Sequence, residues 1–171
     1  ISWAQEANLR SLTQRLQEQA VALRDTPHQL RAAPEQARLR SLLEPLIDTD
    51  DYVGFTIVDA SGLILAASED RLISEHLTPE GQSRLAAVFG QQSWWLTPTW
   101  KGQYTDSEAL QEDTTIMGVG AGIAGEDGRP KAALLLYIPP EKDFTRILSI
   151  ARLGASGDTY AFDASGRMLS D

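Results

Sequence analysis

The chain of 171 residues contains no cysteine, which excludes disulfides, thiolate metal sites and cysteine nucleophiles. Histidine is nearly absent too, because His28 and His76 are the only two, and neither has a second ligand at metal spacing. No serine stands in a nucleophile elbow. The sequence therefore predicts a domain with no catalytic residues, no metal site and no cofactor.

Basic residues are also few, since 15 Lys and Arg stand against 24 Asp and Glu, giving a net charge of −9. Such a balance argues against nucleic acid and against an anionic membrane surface as partners. The longest apolar run, Ala132 to Ile138, is far shorter than the roughly 20 residues of a membrane span. A composition of 42% hydrophobic and 23% charged residues is typical of a soluble globular domain with one core.

The four-residue sequence Asp-Ala-Ser-Gly occurs twice, at 59–62 and at 163–166. In each copy, apolar residues lead into a polar turn that ends in glycine and then resume, as in a β-hairpin. The copies are separated by about 100 residues, the size of a small domain. We therefore expect a piece of a larger protein with two helices in 1–50, a complete module in 51–140, and a connecting helix with the opening hairpin of a second module in 141–171.

The residues from Ser2 to Arg24 predict a long amphipathic helix, because they contain no proline or glycine. Leu9, Leu16 and Leu23 recur every seven residues on one side of it. This stripe fits a helix packed on its own domain, and it also fits a helix that associates with a second copy. We expect weak homodimerisation through residues 2–24.

Proline, glycine and apolar alternation divide the rest of the chain into short helices and strands. Pro27 and Pro34 end the first helix, and Thr78-Pro79 has the chemistry of a helix start. Predicted strands are Tyr52–Val58, Leu63–Ser68, Ser93–Trp100, Thr114–Ile123 and Lys131–Ile138, with a loop over Lys101–Asp113 and a helix over Glu141–Arg152. Since hairpins make a sheet antiparallel, the predicted fold class is α+β, a long N-terminal helix with a central antiparallel sheet flanked by helices.

The segment Gly120-Ala-Gly-Ile-Ala-Gly125 matches the dinucleotide fingerprint G-x-G-x-x-G. That motif binds pyrophosphate only where its glycines open a helix, and here a turn and another strand-like segment follow. Strand alternation instead places Gly118, Gly120 and Gly122 on one face, free of side chains. Such a face predicts the close approach of another backbone, for which the N-terminal helix is the obvious candidate, or of a ligand.

Three of the four tryptophans fall between Trp94 and Trp100, next to a polar loop. Aromatic walls with a few polar groups are typical of small-ligand pockets, although the same side chains can fill a core. The predicted ligand-binding residues are Trp94, Trp100, Tyr104, Asp106, Thr115 and Met117. Asp106 belongs to an acidic stretch that suits a cationic group, or that is simply a solvated loop.

The stretch from Thr114 to Ile123, followed by Asp127-Gly-Arg and by Tyr137-Ile-Pro-Pro-Glu-Lys-Asp-Phe, resembles the later part of the first subdomain of double Cache sensors. The passage from Ala151 through Tyr160 to Ser170 is similar to that family's entry into its second subdomain. The resemblance implies two PAS-like subdomains on a long helix, outside the cytoplasmic membrane. It also implies tethering to that membrane and an output module such as a kinase, cyclase or chemoreceptor.

One departure from the family concerns the ligand. Members that bind amino acids carry an Arg-x-Trp-Tyr run, whereas the corresponding stretch here begins Ser93-Trp-Trp-Leu and has no arginine beside the tryptophans. Amino-acid specificity is therefore not carried over. The leading hypothesis is a periplasmic or extracellular domain that senses a small molecule. The alternatives are a structural or dimerising ectodomain without a working pocket and, more remotely, a nucleotide-binding enzyme fragment.

Overall fold

The computed structural model describes residues 3–47, 52–91, 95–100 and 115–138, together with Tyr160, Phe162 and Gly166. The predicted loop at 101–113 and the predicted helix at 141–152 lie outside these residues. In chain order the elements are α1 (Trp3–Ala22), a 3-10 helix (Pro27–Ala32), α2 (Pro34–Ile47), β1 (Gly54–Asp59), β2 (Ile64–Ala67), a second 3-10 helix (Asp70–Leu72), α3 (Pro79–Gln91), β3 (Trp95–Trp100), β4 (Thr115–Ala124) and β5 (Pro130–Ile138).

The five strands form one antiparallel sheet in the order β2-β1-β5-β4-β3. The α+β prediction is thus confirmed. The two hairpins meet where β1 pairs with β5, with Ile57 opposite Leu134. Strand β3 lies at one edge, where Pro98 is tolerated because an edge strand can leave one backbone position without a donor.

Helix α1 packs on its own domain through the predicted leucine stripe. Leu9 and Leu16 are buried, and Leu23 lies half-buried against the same core. Helix α2 adds Leu39 and Leu43, which are also buried. The intramolecular role of the stripe is therefore observed, which leaves only the other sides of α1 for a partner.

Helices α1 and α3 cover opposite faces of the sheet. A Cβ atom on Gly120 would lie 3.1 Å from Val88 Cγ2 of α3, so the glycine face of β4 packs against that helix. Ile123, on the other face of β4, lines a cleft together with Thr13 of α1. The predicted close approach of a helix to the glycine face is confirmed. The prediction that this helix is α1 is wrong, because the helix is α3. Gly120 and Ile123 are three residues apart in a strand, so they face opposite sides.

Asp59 organises the first hairpin turn. Its Oδ1 accepts hydrogen bonds from the backbone N–H of Ser61 at 2.8 Å and of Leu63 at 3.0 Å, and from Ser61 Oγ at 2.6 Å. Gly62 takes a left-handed φ of 88°, and Gly166, its counterpart in the second Asp-Ala-Ser-Gly sequence, takes 83°. The two glycines thus share the backbone conformation that turns of this type require.

Side chains of α2 connect the helical layer to the sheet by donating hydrogen bonds to backbone carbonyls of β2. Gln36 Nε2 donates to Leu65 O of β2 at 2.8 Å, and Arg40 Nε donates to Ala67 O at 3.1 Å. Helix α3 begins as predicted, since Thr78 Oγ1 accepts the N–H of Gly81 at 3.1 Å. Within the described residues, none of the helices combines the length and apolarity that a membrane span requires.

Candidate functional site

Three of the six predicted ligand-binding residues fall in the β3–β4 ladder. Trp100 is paired with Thr115, and Pro98 with Met117. Residues directly opposite each other share a sheet face, and so do residues two apart in a strand, so Trp100, Thr115 and Met117 occupy one face at one end of this ladder. The other three, Trp94, Tyr104 and Asp106, lie outside the described residues. The grouping of the six in one pocket stays a prediction.

The face that carries Trp100, Thr115 and Met117 is not the glycine face. Met117 alternates with Gly118, and the glycine face is the one that α3 covers around Gly120. The aromatic end of the ladder therefore belongs to the α1 side of the sheet, by register.

A pair of hydroxyl groups on the glycine face is a feature that sequence reasoning missed. Thr56 Oγ1 and Tyr137 OH lie 2.8 Å apart, and Thr56 is only 1% exposed. Tyr137 stands between Gly54 on β1 and Gly118 on β4, so two positions without side chains flank its ring. The one signal in the sequence is that Thr56 is polar within the apolar run Phe55–Val58.

The described residues carry no constellation that points to catalysis. Among them, no group of three or more His, Asp or Glu side chains could hold a metal ion. His28 and His76 are both exposed, on separate parts of the fold. The glycines of the G-x-G-x-x-G match lie in strand β4 and the turn after it, as predicted, so they do not open a helix toward a pyrophosphate.

Among the described residues, two carboxylates have shifted pKa values, and both make structural contacts. Burial of Glu35 raises its pKa, but hydrogen bonds from Gln19 and a backbone N–H, with Arg15 and Arg38 nearby, lower it by more. The net pKa of Glu35 is therefore below its ordinary value. The pKa of Asp127 is lowered by hydrogen bonds from Lys131 and from the backbone N–H of Arg129. Neither carboxylate is poised as an acid or base near neutral pH.

No protein-family model and no curated protein matches the sequence. Solved structures do match. The ligand-binding domain of the Campylobacter jejuni chemoreceptor Tlp3 is similar in complex with 4-methylisoleucine (TM-score 0.55, 14% identity) and in complex with L-valine (TM-score 0.51, 14% identity). The chain aligns over 98% of its length in both and spans 65% and 66% of those domains. The ligand-binding domain of the Pseudomonas fluorescens chemoreceptor CtaA with L-serine gives a TM-score of 0.49 at 18% identity, covering 98% of this chain and 67% of that one.

At 14% identity the likeness to Tlp3 concerns the fold. It agrees with the observed architecture, a long N-terminal helix on one face of a five-stranded antiparallel sheet with a further helix on the other. The expected fold, a long N-terminal helix with a central antiparallel sheet, is thus confirmed. The chain is similar in fold to the ligand-binding domain of a chemoreceptor.

Proposed function

We propose that this chain is the extracytoplasmic, small-molecule-sensing domain of a transmembrane receptor and that it has no catalytic activity of its own. The observation that carries the proposal is the fold, because a structure with a TM-score of 0.55 over 98% of the chain is a chemoreceptor ligand-binding domain. In this proposal the domain lies in the periplasm or outside the cell, and the full-length receptor is tethered to the membrane.

The ligand site in this proposal is the aromatic end of the β3–β4 ladder. Trp100, Thr115 and Met117 share a face there by register, and the segment with Trp94, Tyr104 and Asp106 is continuous with β3 or follows it in the chain. Aromatic and polar groups in this combination suit a small organic guest. This chain spans only 65% of the Tlp3 domain. The signalling output of the whole protein is therefore a proposal as well.

A thermal-shift screen of the 171-residue chain against amino acids, carboxylates, amines, purines and dinucleotides tests the proposal. At about 100 times the dissociation constant, a ligand stabilises the folded state by roughly 2.7 kcal/mol, which is easily measured. Trp100→Ala should abolish the shift. Phe162→Ala, an aromatic deletion at a side chain that is 58% exposed, serves as the matched control and should leave it intact.

The second candidate function is a dimerising ectodomain without a working pocket. It is favoured by one observation, the 78% exposure of Val21 on the outer side of α1. A screen in which no ligand class shifts the melting temperature, combined with concentration-dependent association, would support this function and reject sensing. A response to dinucleotides alone would instead revive the enzyme fragment.

A further inference from the structure

A groove of about 400 Å³ lies between the helices α1 and α2. Each helix contributes residues that are spaced by about one turn and so share one of its sides. They are Asn8, Ser11, Leu12 and Arg15 from α1, and Arg38, Ser41 and Leu42 from α2. The ligand site proposed above lies instead on strands β3 and β4, so the groove is a separate location in the fold.

Two arginines line this groove, one from each helix. Gln19 of α1 donates a hydrogen bond to Glu35 of α2 at 3.0 Å, and this bond joins the two helices at one level. Arg15 and Arg38 come about one turn away from that bond, in opposite chain directions, and meet at the groove. Both arginines are exposed, so their guanidinium N–H groups are accessible to a ligand.

The protein balances these two positive charges only in part. Within the described parts of the chain, the side chains of Arg15 and Arg38 make no hydrogen bond and no ion pair. Burial raises the pKa of the nearby Glu35 carboxylate and hydrogen bonds lower it, and the charges of both arginines lower it further. One negative charge thus stands near two positive charges that repel each other, which leaves one positive charge unbalanced.

Several other arginines of the described residues have an acidic partner within ion-pair distance. These pairs are Arg10 with Glu6, Arg31 with Glu75, Arg40 with Asp70 and Arg71 with Glu69. Among the described residues, no acidic side chain lines the groove itself. In a chain with a net charge of −9, a groove that carries two arginines and no carboxylate favours an anion from outside the protein.

The remaining groups of the groove define the rest of the ligand. Leu12 and Leu42 are half-buried against the core and give the groove an apolar part, which suits a hydrocarbon group. The planar guanidinium fork matches a carboxylate, and a single unbalanced charge favours a monoanion. We propose that this groove binds a small monocarboxylate with a short hydrocarbon tail. Arg15 and Arg38 hold the carboxylate, and the two leucines contact the tail. This inference does not depend on the proposed function.

Calorimetry of the 171-residue chain with butyrate, acetate, inorganic phosphate and butylamine, at constant ionic strength against chloride, tests the proposal. We expect butyrate to bind, and acetate to bind about fivefold more weakly because it lacks two methylene groups of the tail. Butylamine has the same tail with the opposite charge and should not bind. Phosphate that binds more tightly than butyrate would overturn the assignment to a carboxylate.

Arg15→Gln and Arg38→Gln should each weaken butyrate binding by about tenfold or more, because each removes charge-assisted hydrogen bonds to the carboxylate. Arg24→Gln is the matched control. Arg24 is exposed in the turn after α1 and does not line the groove, and its loss changes the net charge equally. Equal losses in all three variants would mean that net charge alone attracts the anion, and would overturn the proposal.

Ser41→Leu tests the groove without removing a charge. Ser41 is exposed on α2, where leucine is a good helix former, and the larger side chain fills space beside Arg38. This variant should remain folded by circular dichroism and should lose butyrate binding. A folded variant that binds butyrate as tightly as the native chain would overturn the proposal.

Two outcomes separate this proposal from the proposed function. If butyrate binding is retained in Arg15→Gln and Arg38→Gln but lost in Trp100→Ala, the carboxylate belongs to the aromatic site. That result would support the proposed function while overturning this inference. Absence of butyrate binding to the native chain would also overturn this inference, and it would leave the sensing function to the thermal-shift screen.

Discussion

At the scale of single residues, one carboxylate and one glycine determine the conformation of the first hairpin turn. Asp59 Oδ1 satisfies two backbone N–H groups of the turn, and Gly62 supplies the left-handed φ of 88°. A Cβ on Gly62 would also lie 2.9 Å from Gln82 Cγ of α3. The turn thus places α3 as well as joining two strands.

We expect Asp59→Ala to lower the free energy of unfolding by about 1–2 kcal/mol, because it leaves turn N–H groups without their acceptor. Urea denaturation monitored by circular dichroism measures the change. Asp59→Asn is the control, since it keeps an acceptor oxygen in the same position, and it should lose less than half as much. If both variants lose the same free energy of unfolding, the acceptor oxygen is not what stabilises the turn, and the negative charge of Asp59 is.

The Glu35 carboxylate gives the fold a pH dependence. Glu35 is 5% exposed and accepts a hydrogen bond from Gln19 of α1 at 3.0 Å, so it joins the first turn of α2 to the long helix. Its folded pKa lies below the ordinary value of 4.5. A lowered folded pKa stabilises the protein above the unfolded pKa, and this stability is lost as the pH falls through the folded value.

The difference in unfolding free energy between the native chain and Glu35→Gln should therefore be largest at neutral pH and shrink as the medium is acidified below about pH 4. Urea titrations across that range give the difference at each pH. Glu18→Gln, at an exposed position on α1, controls for the loss of one negative charge. A Glu35→Gln difference that is independent of pH would refute the assigned role.

At the scale of elements, β4 packs closely against α3 because residue 120 has no side chain. A Cβ on Gly120 would meet Leu135 Cδ2 at 2.9 Å and Val88 Cγ2 at 3.1 Å. Both distances are shorter than ordinary contacts, so the helix sits as close to the sheet as it does because residue 120 is glycine.

Gly120→Leu should destabilise the fold by about 1–3 kcal/mol through overpacking. Gly90→Ala is the matched control, because Gly90 belongs to α3 itself and a Cβ there meets nothing within 4 Å. The alanine should stabilise the chain by up to about 1 kcal/mol through helix propensity. A denaturation midpoint that is the same for Gly120→Leu and the native chain would exclude close packing between α3 and β4.

At the scale of the whole molecule, α1 is a long helix that contributes Leu9 and Leu16 to the core. It runs for 20 residues without proline or glycine. In the proposed receptor, we expect such a helix to be one of the elements that carry ligand occupancy toward the membrane.

We expect weak self-association of the chain through the outer side of α1, measured by sedimentation at high concentration. Val21, which is 78% exposed, is the position to change, and Val21→Glu should shift the molecule toward monomer. Leu16→Asp would not discriminate, because Leu16 is fully buried in the monomer and the charge would unfold it. A native chain that is monomeric throughout would restrict α1 to its packing role.

The sequence by itself determined the local elements. The leucine repeat of α1, Thr78 at the start of α3, the Asp59–Gly62 turn and the alternation of β4 and β5 are patterns within a few residues, and each predicted its element to within about three residues. These patterns suffice because hydrogen bonding in helices and turns is local. The expected α+β class follows from hairpin connections for the same reason.

Only the tertiary structure decided which elements meet. The pairing of β1 with β5, the contact of Gly120 with α3 rather than α1, and the hydroxyl pair of Thr56 and Tyr137 join residues far apart in the chain. The hydrogen bond from Gln17 of α1 to Lys131 O of β5 is of the same kind, since these residues are more than a hundred positions apart in the chain. Periodicity specifies which side of an element is buried but not against what, because that depends on the total burial and packing of the whole chain.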